Sequence, residues 1–118
     1  MGLPFTQVDV FSPAPGLGNA LAVVGDGEGL SEEQLRTFAR WTNLSETTYL
    51  LPPTDAAADY RVRILTPASE LPFAGHPTLG TCFVWLARGG RPKGDEILQE
   101  CGVGLVRLRR DGTRLAFA

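Results

Sequence analysis

Hydrophobic and polar positions alternate along much of this chain, and the alternation marks out strands. LPFTQVDVF (residues 3–11) alternates and is rich in β-formers, ALAVVG (20–25) is a short apolar run, and TTYLL (47–51) is halted by Pro52-Pro53. DYRVRIL (59–65) alternates strictly, with Tyr60, Val62 and Ile64 on one face and Arg61 and Arg63 on the other. EILQEC (96–101) reads as a further strand, and VGLVRLRR and TRLAFA flank Asp111-Gly112, a strong hairpin signal. Pro and Gly make SPAPGLGN (12–19) a loop, and DGEG after residue 25 reads as a turn. The last strand runs to Ala118, an unusual place for a complete domain to stop.

Two stretches change period from 2 to 3.6. Ser31 and Gln34 are spaced as a capping box, Leu30 and Leu35 as a hydrophobic staple, and Leu35, Phe38, Ala39 and Thr42 recur at helical spacing. This predicts an amphipathic surface helix of about three turns. The second stretch, residues 77–88, carries no charge between His76 and Arg88. A helix apolar nearly all round must be covered on every side. With about seven strands available, the natural cover is a strongly curved sheet, which predicts an α+β lobe with a helix inside a partial barrel.

Composition narrows the function classes. The chain has 118 residues, 43% apolar and 20% charged, which predicts one globular domain. The net charge is −2 and the arginines are spread out, so no nucleic-acid footprint shows. No signal segment or membrane-length apolar run is present, and Cys82 and Cys101 have no metal spacing. These features predict a cytoplasmic protein, with no disulfide framework.

Three places have residues suited to chemistry. Pro77 fits a first helical turn, which makes His76 the N-cap or its neighbour, with Gly75 giving backbone freedom before it. The N–H groups of Thr78 and Leu79 are then expected to face an anion such as a carboxylate, flanked by His76. The plainer alternative is a histidine capping a structural helix. In NLSETTYLL (43–51), Glu46 stands just before a strand entering the core. A carboxylate beside an apolar wall has its charged form disfavoured and can both take and give a proton. Its plainer alternative is an exposed loop glutamate. PGLGN (15–19) has two glycines and no following Lys-Ser/Thr, so a plain connecting loop is the better reading than a phosphate cradle. Asp9 lies inside a strand and reads as structural.

Taken in order, these stretches resemble the PhzF family, the phenazine-biosynthesis-like isomerases with the diaminopimelate epimerase fold. VDVFSPAPGLGNALAVV is similar to the family's opening strand, Gly-Asn loop and second strand, NLSETTYLLPP to its catalytic segment, and DYRVRILTPASELPFAGHPTLGT to the segment ending at a Gly-His-Pro helix start. Order and gaps agree across residues 5–85, with a looser fit to 118. The resemblance implies a curved mixed β-sheet wrapped round residues 77–88, and a site in a cleft between two such lobes. It matches Glu46 to an acid/base glutamate that moves a proton between carbons of a small carboxylate with no cofactor. It matches His76 and Gly75 to a substrate-contacting helix mouth, and Asn19 to a loop asparagine near the cleft.

The departures are specific. Ala20 stands where the family usually has proline. Related epimerases use a cysteine pair in the cleft, whereas Cys82 and Cys101 fall away from the helix mouth, which disfavours two-thiol racemisation. Nothing here matches the family's second lobe. The expectation is therefore an N-terminal lobe that acts as an isomerase when a homodimer or a second-lobe protein completes its cleft. The rival is a truncated, inactive protein serving as a binding or assembly module. No metal, nucleic acid or membrane partner is expected.

Overall fold

The computed structural model describes residues 5–10, 19–25, 27–111 and 114–117, and for Phe5, residues 8–10, 19–20, 111, 114 and 117 it describes the backbone. The loop expected over 12–19, with its PGLGN stretch, lies outside the described residues except for Asn19, as do Gly112 of the hairpin turn, Asp26 of DGEG, and Ala118.

Eight strands and two α-helices are found among the described residues: β1 (Phe5–Val10), β2 (Asn19–Val24), α1 (Glu32–Thr42), β3 (Glu46–Leu51), β4 (Tyr60–Leu65), β5 (Glu70–Leu71), α2 (Gly75–Ala87), β6 (Ile97–Cys101), β7 (Gly104–Asp111) and β8 (Arg114–Phe117). A short 3-10 turn at Gly27–Gly29 occupies most of DGEG. The strands form one sheet in the order β1-β2-β3-β4-β6-β7-β8, with β5 beside β4. Seven of the eight strands lie where alternation predicts them. The eighth, β5, has two residues and stops before Pro72, too short to show a period.

Two joints of the sheet are parallel, β2 with β3 and β4 with β6. A parallel joint needs a crossover, and the chain supplies α1 at the first and α2 at the second. Strands β3 and β4 are antiparallel, so the two crossovers start from strands of opposite direction. With both crossovers right-handed, the helices fall on opposite faces of the sheet.

The side chains agree. Leu21 and Val23 pack with Val84 of α2, and Tyr60, Val62 and Ile64 pack with Cys82 of α2, Ile97 and Leu108. Val24, Tyr49 and Leu65 pack instead with Leu35 and Ala39 of α1. Strand β3 is therefore covered on both sides, and its first four residues are all buried. The structure is the α+β lobe expected, a curled sheet holding α2 with α1 outside.

Helix α1 starts as its residues predict. The Gln34 N–H donates to Ser31 Oγ at 3.1 Å and the Ser31 N–H donates to Gln34 Oε1 at 2.9 Å, completing the capping box. Leu30 and Leu35 pack in one cluster, as a staple does. Arg63 of β4 then ties α1 and β5 to the sheet, donating through both Nη atoms to Glu32 and through Nε and Nη2 to Glu70 at 2.8 and 2.6 Å. The guanidinium holds the carboxyls of Glu70 and Glu32 below the usual carboxylate range.

Helix α2 ends in a Schellman motif. The Gly89 N–H donates to Leu86 O at 3.0 Å and the Gly90 N–H to Trp85 O at 2.9 Å, with Gly89 at φ 93°. Gly90 also lies flat on Trp85, because a Cβ there would come within 2.4 Å of the indole. That ring is in turn stacked on Tyr60 with centroids 5.1 Å apart. Gly90→Ala is expected to lower stability by about 1–3 kcal/mol through overpacking. A urea unfolding midpoint equal to that of the parent would show that the indole has room to yield.

The expectation that α2 is covered on every side is corrected. Pro77, Thr78, Gly80, Thr81, Cys82 and Val84 are buried, but Phe83 is 57% exposed, and His76, Leu79 and Leu86 on the same stripe are half-buried. The sheet reaches part of the way round the helix and, among the described residues, leaves Phe83 uncovered.

Candidate functional site

The site is assembled where β3 begins and α2 begins. Asn43 closes α1 in the left-handed region at φ 52°, turning the chain so that Glu46 opens β3. Glu46 pairs in register with Leu21, and both belong to the face that packs on α2. The Glu46 residue is 8% exposed, so the carboxyl stands at the edge of the apolar interior.

The start of α2 differs from the sequence expectation. Its N-cap is Ala74, which makes Gly75, His76 and Pro77 the first three helical positions. Any of the first three helical N–H groups lacks an intrahelical acceptor, so proline fits the third position as well as the first. The Thr78 N–H already donates to Ala74 O at 3.2 Å. Thr78 is thus corrected as an amide contact for an anion: its N–H is engaged inside the helix and its side chain is fully buried. Leu79 follows it along the helix, and its half-buried side chain packs on the core clusters. The amide end of the helix lies one turn earlier, at Ala74, Gly75 and His76.

The two candidate side chains meet there. His76 Nε2 lies 3.2 Å from Glu46 Oε1, with the side chains 15% and 11% exposed. That distance is within ion-pair range, and the Nε2 atom itself is buried against the carboxyl. The backbone of Asn19 is described. It opens β2 two residues before Leu21, the register partner of Glu46, which places it at the same end of the sheet.

Sequence reasoning missed the polar groups that support this corner. Thr48 and Thr81 are fully buried, with their hydroxyl oxygens 2.7 Å apart, joining β3 to α2. Gln99 donates through Nε2 to Thr78 Oγ1 at 3.2 Å and accepts from the Tyr60 hydroxyl at 3.0 Å, joining β6 and β4 to α2. The available signal was Gln99 itself, a polar residue on the inward alternation of Ile97, Gln99 and Cys101.

The cysteines lie elsewhere. Cys82 is fully buried in α2 beside Tyr60, and burial pushes its thiol up to about 11. A protonated thiol is a poor base and nucleophile. Cys101 ends β6, its Sγ donating to Gly104 O at 3.6 Å. Among the described residues, no group of three or more His, Cys, Asp or Glu is placed to hold a metal ion. Two hollows of about 460 and 420 Å³ lie beside Trp85 and Arg88 and beside Pro72 and Cys101, and neither includes Glu46 or His76.

The buried acids predict an alkaline limit to stability. Burial also pushes the Tyr49 hydroxyl up to about 12 and that of Tyr60 well above its ordinary value. The folded state keeps these groups neutral at a pH where the unfolded chain already releases their protons. Stability is therefore full below the ordinary cysteine value, about 8.5, and falls as pH rises through the window above it. The urea midpoint should decline between pH 8 and 11, and Cys82→Ala should flatten the first part of that decline. A midpoint constant over this range contradicts the assignment.

Comparison with known proteins agrees with this fold. The family model for phenazine biosynthesis-like proteins, PhzC-PhzF, matches residues 8–116. Antisense-enhancing sequence 1 of Schizosaccharomyces pombe is 50% identical over 111 residues, covering 93% of this chain and 38% of that protein. A trans-2,3-dihydro-3-hydroxyanthranilate isomerase of Pseudomonas aeruginosa is 41% identical over 115 residues, 95% of this chain and 40% of the enzyme. The crystal structure of a PhzF-family phenazine biosynthesis protein from Bacillus anthracis superposes with a TM-score of 0.82 at 27% identity, over 98% of this chain and 39% of that one. The chain thus spans about two fifths of the length of these relatives. Among the described residues no helix is long and apolar enough to cross a membrane. The motif order, the curled sheet round α2 and the match over residues 8–116 lead to one conclusion: this chain belongs to the PhzC-PhzF family of phenazine biosynthesis-like proteins.

Proposed function

We propose that this chain forms one wall of an isomerase site that moves a proton between carbons of a small carboxylate without a cofactor, in the cytoplasm. The observation that carries the reading is the 3.2 Å approach of His76 Nε2 to Glu46 Oε1 at the mouth of α2. The Glu46 carboxylate takes a proton from one carbon and delivers it to another, so substrate and product have the same atoms and no co-reactant is needed. His76 holds the Glu46 carboxylate in place and flanks the substrate. The substrate carboxylate faces the Gly75 amide at the positive end of the helix. Asn19 lines the same end of the sheet.

The second wall comes from another lobe, supplied by a second copy of this chain or by a second-lobe protein. The face of α2 around the exposed Phe83 is the one such a partner covers. The relatives named as trans-2,3-dihydro-3-hydroxyanthranilate isomerases supply the test compound. Incubated with it in heavy water, the chain should place deuterium on a substrate carbon. No incorporation by a particle shown to be at least dimeric would end the reading.

The rival is a module that keeps the fold and lacks the chemistry. Light scattering separates the two. A stable monomer favours the inactive module, and a dimer keeps catalysis open.

A further inference from the structure

We infer that Thr48 and Thr81 are positioning residues for the Glu46–His76 pair, acting through the seat of α2 on β3. This rests on the function proposed above, and its test includes a readout that does not.

Two contacts join the same two elements. Side chains two apart on a strand share a face, so Glu46 and Thr48 both face α2, about 6.8 Å apart along β3. On α2, His76 and Thr81 are five residues apart, about 7.5 Å of axial rise and roughly 140° round the helix, so Thr81 meets the strand from the buried face and His76 from its flank. The structure closes both contacts, with Glu46 Oε1 and His76 Nε2 at 3.2 Å and the hydroxyl oxygens of Thr48 and Thr81 at 2.7 Å. Leu50, the next residue on that face, packs on the cluster containing Val84. Helix α2 therefore runs alongside β3, and the hydroxyl rung sets how closely the helix approaches one step below the site.

That rung is hard to replace with apolar contact. Two methyl groups meet at about 3.5–4.0 Å, roughly 1 Å more than hydroxyls sharing a hydrogen bond at 2.7 Å. A Thr48→Val/Thr81→Val pair keeps the volume and leaves no unpaired hydroxyl, so its effect on stability is small. It does hold α2 off β3 and opens the Glu46–His76 approach. A Thr48→Ser/Thr81→Ser pair does the reverse, keeping the hydrogen bond and losing two buried methyls.

The experiment compares both pairs with the parent by thermal unfolding, by the ring proton resonance of His76, the chain's single histidine, and by deuterium incorporation. The valine pair is expected to melt close to the parent, to show a His76 resonance displaced in the direction seen for Glu46→Gln, and to lose about 10–100-fold in kcat. The serine pair is expected to melt lower and to keep the parent's His76 resonance. A valine pair with the parent's resonance overturns the inference, as does a serine pair with a displaced one. Should the valine pair fail to fold, the serine pair decides by the same criterion. Should the parent show no incorporation, the proposed function fails while the His76 resonance still decides the positioning.

Discussion

Glu46→Gln should bind substrate with nearly the affinity of the parent and incorporate solvent deuterium roughly 10²–10⁴-fold more slowly, the usual contribution of a positioned acid/base group. The amide of glutamine has the size of the carboxyl and keeps an oxygen at the edge of the apolar interior. It cannot accept a proton from carbon. Binding should persist, because in the proposed function the substrate's own carboxylate is held at the amide end of α2 beside Gly75. The loss therefore falls in kcat, with KM little changed. Parent-like incorporation in this variant would falsify the assignment of Glu46. A loss confined to KM would move Glu46 from proton transfer to substrate holding.

Tyr49→Ala should cost roughly 3–5 kcal/mol, as truncation of a large buried ring does. For a domain of this size the melting temperature falls by on the order of 15–25 °C. Tyr49 is fully buried on the α1 face of β3, packed against Leu35, Ala39, Val24 and Leu65. Its hydroxyl donates to Leu35 O at 2.6 Å, so one side chain joins helix and strand by both ring and hydrogen bond. Tyr49→Phe keeps the ring and isolates the second part, about 1 kcal/mol. Equal losses in the two variants would mean that the hydrogen bond, and not the packed ring, anchors α1. Glu46 opens the same strand, so the alanine variant should also weaken deuterium incorporation where the fold survives.

Strand β3 shows what the residues disclose and what they withhold. TTYLL reads as a strand from its β-branched and aromatic content, with Glu46 joining it in the structure, but a continuous run says nothing about which neighbour covers which face. Only the topology, with crossovers of opposite direction, puts α1 over Thr47 and Tyr49 and α2 over Glu46 and Thr48. Helix α1 was legible almost to the residue, because its capping box and staple are local interactions within a few positions. The start of α2 was misplaced by two residues. Pro77 is compatible with any of the first three helical positions, and Ala74 gives no side-chain capping signal.

Glu46 and His76 were each visible as chemistry. Their approach was not, since thirty residues and two strand pairings separate them and no local rule spans that distance. The resemblance to a family brought them together before the coordinates did. The buried polar groups Thr48, Thr81 and Gln99 escaped notice for the opposite reason. Threonine in a strand or an apolar helix is ordinary, and its partner is identified only by tertiary packing.

The central claim is that Glu46 and His76 act as one unit at the mouth of α2, and a double-mutant cycle tests it most directly. Deuterium incorporation is measured for the parent, Glu46→Gln, His76→Gln and the two changes combined. Groups that work as a unit give losses far from additive, so the combined variant should be little slower than Glu46→Gln alone. If the two losses simply multiply, the carboxylate and the imidazole act independently, and the two do not work as a unit.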